Sequence, residues 1–162
     1  MISDQILTLS AQLGELLTDK NWQITCAESC TGGGIGYAIT SASGSSNWFH
    51  RGFITYSNEA KSDLVAVDPQ IINKHGAVSQ PVVEQMSLGA LKAANANVSV
   101  AVSGVAGPGG GTQDKPVGLV WFGFIVGDEH FAFSRIFTGD RARVREQTIE
   151  VAMQTLTERL AK

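Results

Sequence analysis

In the first half of the chain, segments whose apolar residues have helical spacing alternate with segments that have the pattern of a β-strand. The N-terminal segment carries leucines and an isoleucine on one helical face, and Ser3 precedes it as a helix cap. A short strand over 23–27 runs through a glycine-rich turn into a second helix, and a strand over 49–56 follows. Asn58 is placed to cap a third helix, and Pro69 marks a turn after it.

The second half continues the alternation. The pattern predicts a helix over 80–96, and 98–102 is an apolar run, interrupted only by Ser99, that is typical of a strand buried on both faces. Two strands over 117–126 and 131–137 are joined by a Gly-Asp hairpin signal, and a helix over 140–162 follows them.

This order predicts an α/β fold, a layered α/β/α sandwich with a mixed β-sheet. Helices lie before, between and after the strands, so both faces of a sheet are covered, and the last hairpin supplies an antiparallel part. The 162 residues are enough for one ordinary core, and we read 1–162 as a single domain.

Composition narrows the function classes. Hydrophobic residues make up 43% of the chain and charged residues 17%, which is a normal globular balance. A net charge of -3 leaves no bulk basic field, so we expect no nucleic-acid partner. No apolar run is long enough for a membrane span, so we expect no membrane partner. The first residues do not resemble a signal peptide, and two cysteines are too few for a disulfide framework, so we expect a cytoplasmic protein.

The first candidate for chemistry is the turn Ser29-Cys30-Thr31-Gly32-Gly33 between the first strand and the second helix. A helix start offers unpaired N–H groups, and glycines let a ligand approach the backbone. The turn therefore suits a phosphate, a carboxylate or the oxyanion formed by a serine nucleophile. It matches neither the Walker nor the Rossmann glycine pattern, and a plain capped turn is the alternative interpretation. Cys30 is a weaker candidate nucleophile, since no histidine partner is apparent for it.

Lys61 is the second candidate, in the first turn of the helix that follows Tyr56. A helix start together with partial burial disfavours the ammonium form, and a neutral amine is what a serine needs as its general base. Tyr56 is placed to relay or donate a proton. The alternative is a solvated lysine at a helix start.

Three arginines crowd the start of the last helix. Arg141 and Arg145 are four residues apart and share one face, which suits a phosphate clamp. Arg143 points elsewhere and is interpreted as a solvent-exposed or salt-bridge residue. The alternative for the three arginines is an ordinary charged face paired with Glu146 and Glu150.

A glycine-rich loop over 103–111 follows the buried strand and contains Ser103, Gly104, Ala106 and Gly107. If that strand is parallel to the first one, this loop and the Ser29 turn leave the same edge of the sheet, where ligands of open α/β sheets bind. An unoccupied surface loop is the alternative.

Seven segments, in this order, resemble the C-terminal domain family of the competence/damage-inducible protein CinA. They are 27–33 (AESCTGG), 44–46 (GSS), 51–61 (RGFITYSNEAK), 76–79 (GAVS), 103–110 (SGVAGPGG), 115–118 (KPVG) and 137–141 (FTGDR). The resemblance covers almost the whole chain, with one departure at Gly34, where we expect a bulkier residue.

Stand-alone members of that family are nicotinamide-nucleotide amidohydrolases, so the resemblance implies a Ser/Lys serine amidohydrolase acting on nicotinamide mononucleotide (NMN). It implies Ser29 as nucleophile, Lys61 as base and Tyr56 as the assisting hydroxyl. It also implies a nucleotide site along 103–110 and in the Ser29 turn, with Arg141 or Arg145 on the phosphate.

Two other readings stay open at this stage: a non-catalytic nucleotide-binding regulatory module, and an amidase for another carboxamide. We expect no cofactor and no bound metal, because His50, His75 and His130 show no ligand spacing. A homo-oligomer is expected, with a dimer favoured.

Overall fold

A five-stranded mixed sheet and six α-helices account for most of residues 2–162, the part of the chain that this computed structural model describes. The helices are α1 (Asp4–Lys20), α2 (Gly34–Ile39), α3 (Asn58–Val65), α4 (Pro69–His75), α5 (Gln80–Ala94) and α6 (Arg141–Leu160). The strands are β1 (Ile24–Glu28), β2 (Phe53–Ile54), β3 (Val98–Gly104), β4 (Leu119–Val126) and β5 (Glu129–Ile136).

The strand order across the sheet is β2-β1-β3-β4-β5. The first three strands are parallel, and β4 and β5 add the antiparallel part, as the hairpin signal predicts. Glu28 pairs with Val102, so β1 and β3 end side by side at one edge. The turn that contains Ser29 and the loop over 103–111 therefore leave the sheet at the same edge, as predicted.

Two apolar layers form on opposite faces of the sheet. Alternate residues of β3, such as Val100 and Val102, pack with α1, α2 and α6, while Ala101 packs with α3, α4 and α5. The predicted α/β/α sandwich is confirmed. The side chains of β1 and the first six residues of β3 are buried, as expected for strands that helices cover on both faces.

Three local predictions are wrong. The strand predicted over 49–56 is reduced to Phe53–Ile54, because only these two residues form a continuous ladder with β1, while Phe49 makes one isolated bridge to Ile24. The cap of α3 is Ser57, not Asn58: Ser57 is extended, and its side chain accepts a hydrogen bond from the N–H of Ala60. Pro69, which the sequence predicts to mark a turn, is instead the first residue of α4, a position where its missing N–H costs nothing.

Candidate active site

Ser29 and Lys61, 32 residues apart in sequence, lie in direct contact. Ser29 follows the last residue of β1, and Lys61 reaches it from the first turn of α3, with 3.0 Å between Lys61 Nζ and Ser29 Oγ. The Lys61 side chain is among the largest that are fully buried, with 1% of the residue exposed, while Ser29 is 8% exposed. The predicted nucleophile and base are thus brought together.

The surroundings of Lys61 favour its neutral form. Desolvation by burial lowers the pKa of Lys61 from 10.5 to about 8, although the nearby Cys30 opposes that shift. Besides Ser29, the amine contacts two backbone carbonyls, that of Thr55 at 2.8 Å and that of Tyr56 at 3.3 Å. Carbonyls only accept hydrogen bonds, so they take the two N–H groups of a neutral amine and leave its lone pair for Ser29.

The turn after Ser29 is built by two glycines with left-handed backbone, Gly32 (φ 56°) and Gly33 (φ 103°), which other residues rarely adopt. Within residues 2–162, the N–H groups of Cys30, Thr31 and Gly33 donate to no protein acceptor. Three free donors next to the serine are the kind of groups that stabilise an oxyanion.

Burial makes Cys30 a poor nucleophile. Its side chain is buried, and desolvation raises the pKa of the thiol to about 11, so it stays protonated at neutral pH. The alternative that places the nucleophile at Cys30 is therefore disfavoured.

Tyr56 contributes its carbonyl to the lysine but turns its hydroxyl away. The ring is 58% exposed, and its hydroxyl accepts a hydrogen bond from Arg141 Nη2 at 2.9 Å. Arg141 Nη1 also donates to the carbonyl of Gly107 at 2.9 Å. Arg141 thus connects the segment before α3 to the glycine-rich loop.

Arg145 lies on α6, which packs on the face of the sheet opposite α3 and Lys61, and it binds the nucleophile turn from that side. Its Nε donates to the carbonyl of Cys30 at 3.1 Å, and its Nη2 donates to the carbonyl of Thr31 at 3.2 Å. Arg143 instead forms an ion pair with Glu146 at 3.2 Å, which confirms its predicted separate role.

The loop over 103–111 begins beside the serine. Val102 of β3 pairs with Glu28 of β1, so Ser103 follows Val102 as Ser29 follows Glu28 on the adjacent strand. Ser103 is buried. Gly104 packs so closely on β4 that an added Cβ would lie 2.8 Å from the carbonyl oxygen of Leu119. Ala106 is buried too, so these two residues shape the loop rather than present side chains.

Comparison with known proteins identifies the family of this chain. The family model described as CinA C-terminal domain matches residues 6–160. The chain belongs to the CinA C-terminal domain family. Nicotinamide-nucleotide amidohydrolase PncC of Escherichia coli K12 is 48% identical over 157 residues, covering 96% of this chain and 95% of the relative. The protein of that name from Pseudomonas putida is 51% identical over 153 residues, covering 94% of this chain and 96% of its own length.

Solved structures of the family share the fold. The competence/damage-inducible protein CihA of Agrobacterium tumefaciens superposes with a TM-score of 0.95 at 36% identity, covering 100% of this chain and 99% of that one. This chain therefore shares the α/β fold of solved members of its family.

Gly34, the one departure from the expected family pattern, has a packing reason. A Cβ added there would lie 2.5 Å from Cδ1 of Ile149 on α6. The glycine therefore makes room for the Ile149 side chain between α2 and α6.

Two clefts border the turn and the loop. One, of about 570 Å³, is lined by Gly32, Gly33, Tyr37 and Arg145 among others. The second, of about 470 Å³, is lined by Ala106 and Arg141 among others. Each predicted phosphate arginine therefore lines a cleft of its own, and neither Ser29 nor Lys61 is among the residues that line these two clefts.

Glu28 is a site residue that the sequence reasoning missed. Its carboxylate is buried behind the nucleophile turn and accepts hydrogen bonds from Thr31 and from the first turn of α2. An acidic residue at the end of a buried strand, immediately before a candidate nucleophile, was the available signal.

Residues 2–162 contain neither a metal-binding cluster of side chains nor a membrane-spanning helix. No group of three or more His, Cys, Asp or Glu side chains in that range is arranged to hold a metal ion. None of the helices described there is long and apolar enough to cross a membrane.

Proposed function

We propose that this chain hydrolyses the carboxamide of NMN to nicotinate mononucleotide and ammonia, with Ser29 as nucleophile and Lys61 as general base. The observation that carries the proposal is the buried 3.0 Å contact between Ser29 Oγ and an amine whose pKa burial lowers to about 8. The substrate is inferred from the relatives, which bear the name nicotinamide-nucleotide amidohydrolase over nearly the whole chain length.

The first half of the reaction acylates the serine. Neutral Lys61 takes the Ser29 proton, and Oγ attacks the carboxamide carbon to form the C–O bond. The carbonyl oxygen becomes an oxyanion that backbone N–H groups of the turn receive. Protonated Lys61 has three N–H donors, which match Ser29 Oγ and its two carbonyl partners, so the same cage holds both protonation states.

The second half releases ammonia and restores the enzyme. Protonated Lys61 delivers its proton to the amide nitrogen, the C–N bond breaks, and ammonia leaves. Neutral Lys61 then takes a proton from water, whose oxygen attacks the acyl carbon, and collapse returns the proton to Ser29 Oγ with nicotinate mononucleotide as product. Tyr56 assists by holding the amine through its carbonyl, while its hydroxyl contacts Arg141 instead of the Ser/Lys pair, so the predicted role of this hydroxyl is not used.

The arginine-lined clefts support a nucleotide substrate over free nicotinamide. Arg141 and Arg145 each keep unused guanidinium donors beside glycine-rich backbone, which suits a phosphate. We propose that one of them holds the phosphate, and that the backbone of Gly32, Gly33 and Gly107 shapes the approach.

Two wider expectations belong to the same proposal. The reaction takes place in the cytoplasm, supported by two cysteines that are both free thiols. The chain acts as a single domain in a homo-oligomer, with a dimer favoured. Exposed Tyr37, Ile54 and Tyr56 beside the site support an apolar contact between subunits, and light scattering after size exclusion tests it.

The test of the substrate is product formation from NMN with EDTA present, measured as ammonia and nicotinate mononucleotide in equal amounts. Free nicotinamide is the matched comparison, because it keeps the amide and lacks the phosphate. NMN turnover with nicotinamide at least about 100-fold poorer in kcat/KM supports the proposal. Binding of NMN without turnover would indicate the regulatory module, and turnover of other carboxamides alone would indicate a different amidase.

A further inference from the structure

We infer that Glu28 is a positioning residue that locks the nucleophile turn to both α2 and the segment that holds Lys61. The inference rests on the proposed function for its substrate, and it adds a residue to the machinery of that site. It follows from what the Glu28 side chain and the Glu28 backbone each contact.

The side chain of Glu28 is 1% exposed and is surrounded by donors. Oε1 accepts from Thr31 Oγ1 at 2.5 Å and from the N–H of Ile35 at 2.8 Å. Oε2 accepts from the N–H of Gly36 at 3.0 Å and from Cys26 Sγ at 3.7 Å. One carboxylate therefore connects the strand before Ser29, the turn after it and the start of α2.

The chemistry of these partners requires a carboxylate. The N–H groups of Ile35 and Gly36 can only donate, and each points at a different oxygen of Glu28. A glutamine has one acceptor oxygen, so in either amide orientation its NH₂ faces a backbone N–H. Glu28→Gln therefore keeps the shape of the side chain and loses one of the two contacts.

The backbone of Glu28 reaches the other catalytic arm. Its carbonyl accepts from the N–H of Thr55 at 2.7 Å and from Thr55 Oγ1 at 3.2 Å. The carbonyl of Thr55 in turn accepts from Lys61 Nζ at 2.8 Å. Glu28 thus contacts both the turn that carries the nucleophile, through its side chain, and the segment that holds the Lys61 amine, through its carbonyl.

The 3.0 Å contact between Ser29 and Lys61 depends on this connection. Ser29 is joined to Glu28 by one peptide bond, and Thr31 fixes the far end of the same turn to the carboxylate. If the carboxylate is lost, the turn can shift relative to Lys61 while the substrate clefts remain. A displacement of about 1 Å costs about 100-fold in rate when it separates reacting groups.

The test compares Glu28→Gln with a matched control, Ser10 of α1, whose side chain also contacts α2. Ser10 is also buried, and its hydroxyl donates to the carbonyl of Ala38 at 2.6 Å, at the opposite end of α2. Ser10→Ala weakens the attachment of α2 and leaves the nucleophile turn untouched. Both variants are assayed with NMN as substrate, at a temperature well below the melting temperature of either protein.

We expect Glu28→Gln to lower kcat about 100-fold and to leave KM within about threefold of wild type, because binding groups are kept and alignment is lost. Ser10→Ala keeps the wild-type kcat and loses only thermal stability. A folded Glu28→Gln variant within about threefold of the wild-type kcat would overturn the inference. So would equal losses of kcat in the two variants, which would show that α2 attachment alone matters.

A second pair of variants decides the matter if Glu28→Gln does not fold. Thr31→Val removes only the hydroxyl that donates to Glu28, and Thr31→Ser keeps it. We expect Thr31→Val to lower kcat by about tenfold, with Thr31→Ser restoring at least about half of the loss on a logarithmic scale. Equal kcat for wild type and Thr31→Val would contradict the role of the carboxylate.

Labelling of Ser29 by diisopropyl fluorophosphate separates this inference from the proposed function, because the reagent needs an activated serine and no NMN. Its rate should fall with Glu28→Gln as kcat does, and should be unchanged in Ser10→Ala. A wild type that is labelled but does not hydrolyse NMN would refute the substrate, and the labelling rates would still test Glu28. A wild type that does neither would refute both.

Discussion

The pH dependence of kcat/KM follows from the burial of Lys61. Only the neutral amine can take the Ser29 proton, and kcat/KM reports the ionisation of the free enzyme. Raising the pH through the pKa of Lys61 should therefore increase kcat/KM up to a plateau. The position of the rise is set by the desolvation that lowers this pKa to about 8.

The size of the effect can be worked out from that pKa. With a value of about 8, roughly a tenth of Lys61 is neutral at pH 7 and roughly nine-tenths at pH 9. At the ordinary value of 10.5 only about 0.03% would be neutral at pH 7. Burial thus increases the available base about 300-fold at neutral pH, and kcat/KM should rise about tenfold between pH 7 and pH 9.

The assay is the initial rate of nicotinate mononucleotide formation at NMN concentrations far below KM, from pH 6.5 to pH 10. Lys92→Ala is a matched control, since Lys92 is exposed in the last turn of α5 and its variant should give the wild-type profile. A flat profile between pH 7 and pH 9 would refute the reasoning. A midpoint near the value of an ordinary lysine would refute it as well.

Three other predictions concern packing and the turn. Neither Cys26 nor Cys30 should react with dithionitrobenzoate in the native protein at pH 8, because burial raises both thiol pKa values; both should react after unfolding. Gly89→Ala should destabilise the protein by about 2 kcal/mol, seen in chemical denaturation, because its Cβ would overlap the Val65 carbonyl oxygen of α3. Arg145→Lys should lower kcat on the order of tenfold in steady-state assays, since a lysine cannot bind two carbonyls with a planar fork; an unchanged kcat would contradict that clamp.

The layered fold could be predicted because its signals are local. β3 is rich in valine and alanine, as a strand buried on both faces should be. Helices α1 and α6 begin at side-chain caps, Ser3 and Asp140, that the sequence displays. The length of the edge strand β2 was overestimated, because the β-forming residues of this segment extend beyond the two that pair with β1 in a continuous ladder.

The site was predictable only in part. The turn at Ser29 is visible from its glycines, but no spacing rule joins it to Lys61, and the family resemblance supplied that pairing. The guanidinium of Arg145 reads as a phosphate ligand from sequence, and its two contacts with turn carbonyls appear only in three dimensions. Glu28 was missed because a buried carboxylate is recognised by the donors around it, which come from three segments.

The most direct test of the central claim is NMN turnover by Ser29→Ala and Lys61→Met, each shown to be folded by its cooperative thermal unfolding. If Ser29 and Lys61 act as one unit, either substitution alone should lower kcat by at least about 1000-fold, and the double variant should lose little more. Turnover within about tenfold of wild type in either folded variant would contradict the Ser/Lys mechanism.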